Sequence, residues 1–220
     1  MARAVFLDRD GVINSMVYNP DFGLVDSPAN PNELILLPGA GKAIQQINEM
    51  GFLAIVISNQ PGVAKGRFVK ALLNAITEKL HKELRAEGAR LDDVYYCLHH
   101  PAAIFEQYRM NCDCRKPKPG LLEQAARKWK IELSSSYFVG DGITDVATGQ
   151  AVRATCLFVG SRKEYIFDEF DRQGIAPDYV VGSLLEAVGV IRKIEAREDG
   201  LEAFAFKFAA RTPHLSKSLR

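Results

Sequence analysis

The stretch Ala4-Val5-Phe6-Leu7-Asp8-Arg9-Asp10-Gly11 decides how the rest of the chain reads. Its first four residues are apolar with no helical period, which predicts a short buried strand. Two carboxylates follow at once, then a glycine. A strand ending this way puts both acids at the carboxyl edge of a sheet, where open α/β sheets bind their ligands. Gly11 permits a bend there, so Asp8 and Asp10 can reach one small volume. Two carboxylates held that close need a cation, or one must take up a proton. Mg²⁺, which takes oxygen ligands and commonly bridges to phosphate, suits the first case. A carboxylate nucleophile beside an acid/base suits the second. The competing reading is a surface turn with solvated aspartates, since short motifs match by chance. Asp-x-Asp-Gly also opens a calcium loop, but the rest of that loop does not follow.

The chain around this stretch has 220 residues, 47% of them hydrophobic, enough for one good-sized core. A folded domain over 1–195 and a C-terminal tail over 196–220 are expected. Lys and Arg number 28 against 27 Asp and Glu, a net charge of +1 that gives no electrostatic case for a nucleic-acid partner. Met1-Ala2-Arg3 runs straight into the strand, so no signal peptide is read. The longest apolar run, Phe52 to Ile57, is strand-sized, so no membrane span is read either. A cytoplasmic monomer is expected. The 4 cysteines then favour metal or free thiols over disulfides.

Outward from the acidic stretch, residues 15–37 carry Pro20, Pro28 and Pro31 and little periodicity. They read as a long structureless connection overhanging the acids. Pro38-Gly39 opens a helix with Ala43, Ile44, Ile47 and Met50 on one face, stopped by Gly51. Phe52–Ile57 is a second buried strand. It ends in Ser58-Asn59-Gln60-Pro61-Gly62, where a hydroxyl and loop N–H groups can hold a phosphoryl oxygen, although an ordinary turn reads the same way. Phe68 to Glu87 reads as an amphipathic helix with Leu72, Leu73, Ile76, Leu80 and Leu84 as its core face. His81 on it is read as a surface residue. Val94–Cys97 is a third strand.

Cys97-Leu98-His99 and Cys112-Asp113-Cys114 then form a second constellation. Three cysteines and a histidine, closely spaced within each pair, fit a closed tetrahedral zinc site of structural type. His100 is the alternative nitrogen ligand, and buried thiols or a disulfide are the competing reading. Arg115-Lys116-Pro117 follows immediately, so a zinc knot would stiffen a loop that offers Lys116 to phosphate oxygens. Leu121–Lys130 reads as a helix and Tyr137–Val139 as a strand. That strand ends in Gly140-Asp141-Gly142-Ile143-Thr144-Asp145, where Asp141 would complete a metal site with Asp8 and Asp145 would brace the loop. A helix over Val146–Arg153, a strand at Thr155–Val159 holding Cys156 in the core, a helix over 162–173, a strand at Tyr179–Val181 and a helix from Ser183 complete the alternation. The tail carries Phe204, Phe206 and Phe208, whose spacing suggests a strand or an arm. Strands alternating with helices predict an α/β fold, a Rossmann-like parallel sheet covered by helices on both faces.

With three strand ends carrying acids, a serine and acids again, and a lysine loop between the last two, the sequence resembles the haloacid dehalogenase (HAD) superfamily. Asp8-Arg9-Asp10-Gly11-Val12 matches its first motif, Ser58 its second, Lys116 its third and Gly140-Asp141-x-x-x-Asp145 its fourth. The zinc loop and Ser58-Asn59-Gln60-Pro61-Gly62 resemble the branch holding the heptose-bisphosphate and histidinol phosphatases. The resemblance spans about residues 3–190 and implies an HAD-like fold without a large cap, with a Mg²⁺-dependent phosphatase activity. It implies Asp8 as nucleophile, Asp10 as acid/base, and Ser58 and Lys116 on the phosphoryl oxygens. Mg²⁺ would lie on Asp8, the Asp10 backbone carbonyl and Asp141, and structural Zn²⁺ on Cys97, His99, Cys112 and Cys114. Asn59, Gln60 and Arg115 would contact a small phosphorylated substrate, a heptose bisphosphate first, with histidinol phosphate or another sugar phosphate as the alternative. Residues 15–31 and Gly142 depart from that branch's pattern. A zinc-stabilised interaction module without turnover is the reading from another class, motivated by the Phe-bearing tail. A nucleic-acid end phosphatase is a third, disfavoured by the near-neutral charge.

Overall fold

The computed structural model describes residues 1–20, 23–160 and 164–198. In chain order its strands are β1 (Ala4–Leu7), β2 (Val17–Asn19), β3 (Leu24–Asp26), β4 (Leu53–Asn59), β5 (Asp93–Cys97), β6 (Tyr137–Gly140), β7 (Thr155–Val159) and β8 (Tyr179–Val181). Its helices are α1 (Ala40–Glu49), α2 (Lys70–Ala86), α3 (Gly120–Trp129), α4 (Ile143–Ala151), α5 (Glu164–Gln173) and α6 (Leu184–Glu198). Six strands form one parallel sheet in the order β5-β4-β1-β6-β7-β8. The chain lays down β1, β4 and β5 toward one edge, then returns to the other side of β1 for β6. The order therefore reverses between β1 and β6, and the crevice above such a reversal is where open α/β sheets take their ligands. No helix among the described residues is long and apolar enough to cross a membrane.

Alternation along each strand serves both faces of the sheet. Val5 and Leu7 join the core under α1, α2 and α6, while Ala4 and Phe6 join the core under α3. Phe158 and Cys156 pack with Val146 of α4 and Phe170 of α5. All four residues of β1 are fully buried, which is why the run is apolar throughout. Each such Phe, Leu or Val contributes about 1.5–3 kcal/mol.

Several elements differ from the sequence expectation. Residues 15–37 are not structureless. β2 and β3 pair as an antiparallel hairpin, and Pro31–Glu33 forms a single 3-10 turn capped by Asn30, whose side chain accepts from the Asn32 N–H at 3.0 Å. Strands this short carry too little alternation to be read against three prolines. In α2 the core face is Leu73, Ile76, Leu80 and Leu84, and Leu72 is 36% exposed, one position off that stripe. α4 begins at Ile143 rather than Val146 because an Asp145 carboxylate oxygen accepts the Gly142 N–H at 2.9 Å and caps the first turn. α6 runs to Glu198, past the boundary expected at 195. The tail with Phe204, Phe206 and Phe208 lies outside the described residues.

Candidate active site

Three neighbouring strands deliver the site. Asp8 stands just past β1, Ser58 lies near the end of β4, and Asp141 stands just past β6. Gly11 has φ +82°, and a Cβ on it would fall 2.2 Å from an Asp141 carboxylate oxygen. The turn after β1 therefore needs glycine twice, for its backbone angle and for the close approach of Asp141.

Lys116 joins the three strand ends. The residue is 3% exposed, and its ammonium lies 3.0 Å from Asp8 Oδ1 and 2.6 Å from Asp145 Oδ1 and donates to the Ile57 carbonyl at 3.0 Å. Its backbone is clamped by Asn59, which accepts from the Lys116 N–H at 3.1 Å and donates to the Lys116 carbonyl at 3.2 Å. The Ser58 hydroxyl accepts from Gln60 Nε2 at 3.2 Å and favours the ionised form of Asp8. Burial, more than the repulsion from Asp145 and Asp10, lifts Asp8 to about 6 against the pull of Lys116. Asp141 rises to about 7 through burial and then through Asp8 and Asp145. Burial works against the Lys116 charge, but Asp145 and Asp8 more than offset it and raise its pKa.

Asp10 is held apart from this group. Its carboxylate takes a fork from Arg9, Nε to Oδ1 at 3.1 Å and Nη2 to Oδ2 at 3.1 Å. Asn14 Nδ2 donates to Oδ1 at 2.9 Å, and Gln60 Nε2 and the Ser27 hydroxyl donate to Oδ2 at 2.7 and 2.8 Å. Burial alone would raise Asp10; the Arg9 charge and these hydrogen bonds hold it below the usual carboxylate range. Gln60 was expected to line the loop above a substrate. It is instead fully buried and braces Asp10 and Ser58 from beneath, its amide turned inward by those two acceptors. Asn59 likewise supports Lys116.

The second constellation also closes. One ligand atom from each of Cys97, His99, Cys112 and Cys114 lies within 4.8 Å of every other. The sulfurs stand 3.2–3.5 Å apart and His99 Nδ1 is 3.2 Å from Cys114 Sγ. Disulfide sulfurs would be about 2.05 Å apart, and all four cysteines of the chain are free. His100 turns elsewhere, its Nδ1 accepting from the Ala102 N–H at 3.0 Å. Arg115 donates to the His99 carbonyl at 3.2 Å, so the knot and the Lys116 loop are one piece.

Comparisons with known proteins agree on one family. An HAD-hydrolase-like family model matches residues 113–187. The Escherichia coli (strain K12) protein named D-glycero-β-D-manno-heptose-1,7-bisphosphate 7-phosphatase is 35% identical over 190 residues, 86% of this chain and 94% of its own. The chain belongs to the HAD phosphatases. A Pasteurella multocida member of the same name is 32% identical, over 89% of this chain and 100% of its own. A crystal structure of the D,D-heptose 1,7-bisphosphate phosphatase from B. bronchiseptica, complexed with magnesium and phosphate, superposes with a TM-score of 0.72 at 27% identity, covering 87% of this chain and 99% of that one. As an HAD phosphatase the chain is a phosphoric monoester hydrolase.

In this HAD phosphatase the donor atoms suit two metals. Asp8, Asp141 and Asp145 each bring an oxygen within 4.8 Å of the others. Asp145 has both oxygens engaged, Oδ1 by Lys116 and Oδ2 by the Gly142 N–H, whereas Lys116 meets Asp8 only at Oδ1, so Asp8 and Asp141 are the pair that would face a hard cation. Three thiols and an imidazole fit zinc, whose sulfur ligands at about 2.3 Å stand about 3.8 Å apart in a tetrahedron. Sequence reasoning missed Arg9, Asn14 and Ser27. The one signal for Arg9 was its place between two acids at the end of a buried strand, where a guanidinium enters only with a carboxylate to pair it.

Proposed function

We propose that the protein is a Mg²⁺-dependent phosphatase that removes the 7-phosphate of D-glycero-D-manno-heptose 1,7-bisphosphate through an aspartyl-phosphate. The observation that carries this reading is Asp8 at 3.0 Å from a buried Lys116, with Ser58 and Asp141 at the same sheet edge. The relatives' names point to the substrate.

In this mechanism Asp8 attacks phosphorus in line with the leaving sugar oxygen. Lys116 and the Ser58 hydroxyl hold phosphoryl oxygens as charge develops on them. Asp10 protonates the leaving oxygen, then takes a proton from the water that hydrolyses the aspartyl-phosphate. Asp8, the Asp10 backbone carbonyl and Asp141 would hold Mg²⁺, which when bound neutralises charge between carboxylate and phosphate. Cys97, His99, Cys112 and Cys114 would hold Zn²⁺ as a purely structural ion that fixes the Arg115-Lys116 loop. Arg115, on the rim, would meet the distal phosphate of a bisphosphate. The reading takes the enzyme as a cytoplasmic monomer acting on a small soluble ester.

The test is Mg²⁺-dependent phosphate release, comparing kcat/KM for heptose 1,7-bisphosphate and histidinol phosphate. A preference of about a hundredfold for the bisphosphate, about 2.7 kcal/mol in transition-state binding, is expected, and Asp8→Asn abolishes it. Full activity of Asp8→Asn would refute the chemistry. Equal rates on both esters would refute the substrate.

A further inference from the structure

The environment of Asp10 contains more than an acid/base needs. Its carboxylate accepts five side-chain hydrogen bonds, two from Arg9 and one each from Asn14, Gln60 and Ser27. Arg9, Asn14 and Gln60 are fully buried. Beyond Asp10, the Arg9 guanidinium donates to the Tyr96 hydroxyl at 3.3 Å, and that hydroxyl bonds Thr77 of α2 at 3.0 Å. Arg9 therefore carries the orientation of Asp10 through to β5 and α2. The fork uses both oxygens at once, which fixes the plane of the carboxylate as a single-point donor such as lysine would not.

Ser27 differs from the other donors in two respects. It comes from the 15–37 segment outside the main sheet, whose Asp26 is ion-paired with Arg67 in the loop after β4. It is also a hydroxyl. Guanidinium and amide N–H groups only donate, whereas a hydroxyl donates or accepts. Oδ2, the oxygen Ser27 touches, is also bonded by Gln60, which donates to Ser58 as well.

We propose that Arg9 and Ser27 are positioning residues for Asp10: Arg9 fixes the plane of the carboxylate, and Ser27 fixes Oδ2 from the hairpin segment, so that the carboxyl meets the leaving oxygen in one fixed orientation. The proposal rests on the reading of Asp10 as the acid/base. Bond changes are those of that reading. The sugar C–O–P bond breaks at O–P, the leaving oxygen takes the Asp10 proton, and Asp8 forms the new P–O bond.

The experiment measures leaving-group release in a single turnover for two esters, heptose 1,7-bisphosphate and p-nitrophenyl phosphate, whose phenolate leaves without a proton. Asp10→Asn serves as the reference. In Ser27→Ala the rate on the sugar ester falls about tenfold more than on the aryl ester, and in Arg9→Met about a hundredfold more, within the range that a positioned general acid supplies. Arg9→Lys, a single-point donor, recovers only part of the difference. If Arg9→Met does not fold, Ser27→Ala decides alone. Equal losses on both esters, or no loss, in Ser27→Ala while Asp10→Asn separates the esters would overturn the positioning roles. If Asp10→Asn itself fails to separate them, the acid/base reading falls and takes this proposal with it, a result distinct from the first.

Discussion

Replacing Lys116 by methionine tests whether the site is held together by charge. The ammonium stands 3.0 Å from Asp8 Oδ1 and 2.6 Å from Asp145 Oδ1. At an effective dielectric of about 20 each contact is worth about 5–6 kcal/mol of gross attraction. Much of that offsets the desolvation of all three groups, and removing one partner of a buried pair costs about 3–5 kcal/mol net. The cost depends on pH in a direction the structure fixes. With Lys116 present, Asp8 is raised to about 6, from 3.8; without it, burial and Asp145 push it higher. A carboxyl raised in the native state adds stability in acid, and that stability is lost as pH rises through the native pKa. In the variant this loss continues above pH 6, at about 1.4 kcal/mol per pH unit while Asp8 stays protonated. Lys116→Met should therefore cost about 3–5 kcal/mol at pH 8 and about 2 kcal/mol less at pH 5. Urea denaturation followed by circular dichroism, with neither chelator nor Mg²⁺ added, measures both. Equal destabilisation at the two pH values, or less than about 1 kcal/mol at pH 8, would refute the argument.

Two further outcomes follow from the same geometry. Asp8 and Asp141, raised to about 6 and about 7, must release protons to hold a divalent cation, so the rise in Tm on adding Mg²⁺ should grow from pH 5 to pH 8 and be accompanied by proton release; a Tm shift independent of pH would count against that pair as the ligands. Chelating the zinc that the Cys97, His99, Cys112 and Cys114 cluster would hold should lower Tm and speed amide exchange around Arg115 and Lys116, and an unchanged exchange pattern after chelation would show that no metal knot stiffens that loop.

The sheet was legible because β1, β4, β6 and β7 are buried on both faces and so read as unbroken apolar runs. The acids at their ends stood out against those runs. The hairpin at Val17–Asp26 was not legible, because each strand is 3 residues long and pairs only with the other. The burial of Gln60 was hidden for a different reason. A polar residue beside a motif serine looks like a ligand for substrate, and nothing local says that it bonds Asp10 instead. Ser27 sits in a proline-bearing segment and reaches Asp10 only once that segment has folded back over β1. Contacts of this kind join residues far apart in the chain and leave no periodic trace.

The three-way grip of Lys116 has a consequence for how the protein matures. Its ammonium meets Asp8 after β1, the Ile57 carbonyl in β4 and Asp145 after β6, positions widely spread along the chain. Contacts between distant residues form only when most loop closure is complete. A chain still on the ribosome, or one caught partway to the native state, holds Asp8 without its cation and without Asp141 beside it. On the reading of Asp8 as the nucleophile, its full set of partners exists only in the assembled sheet.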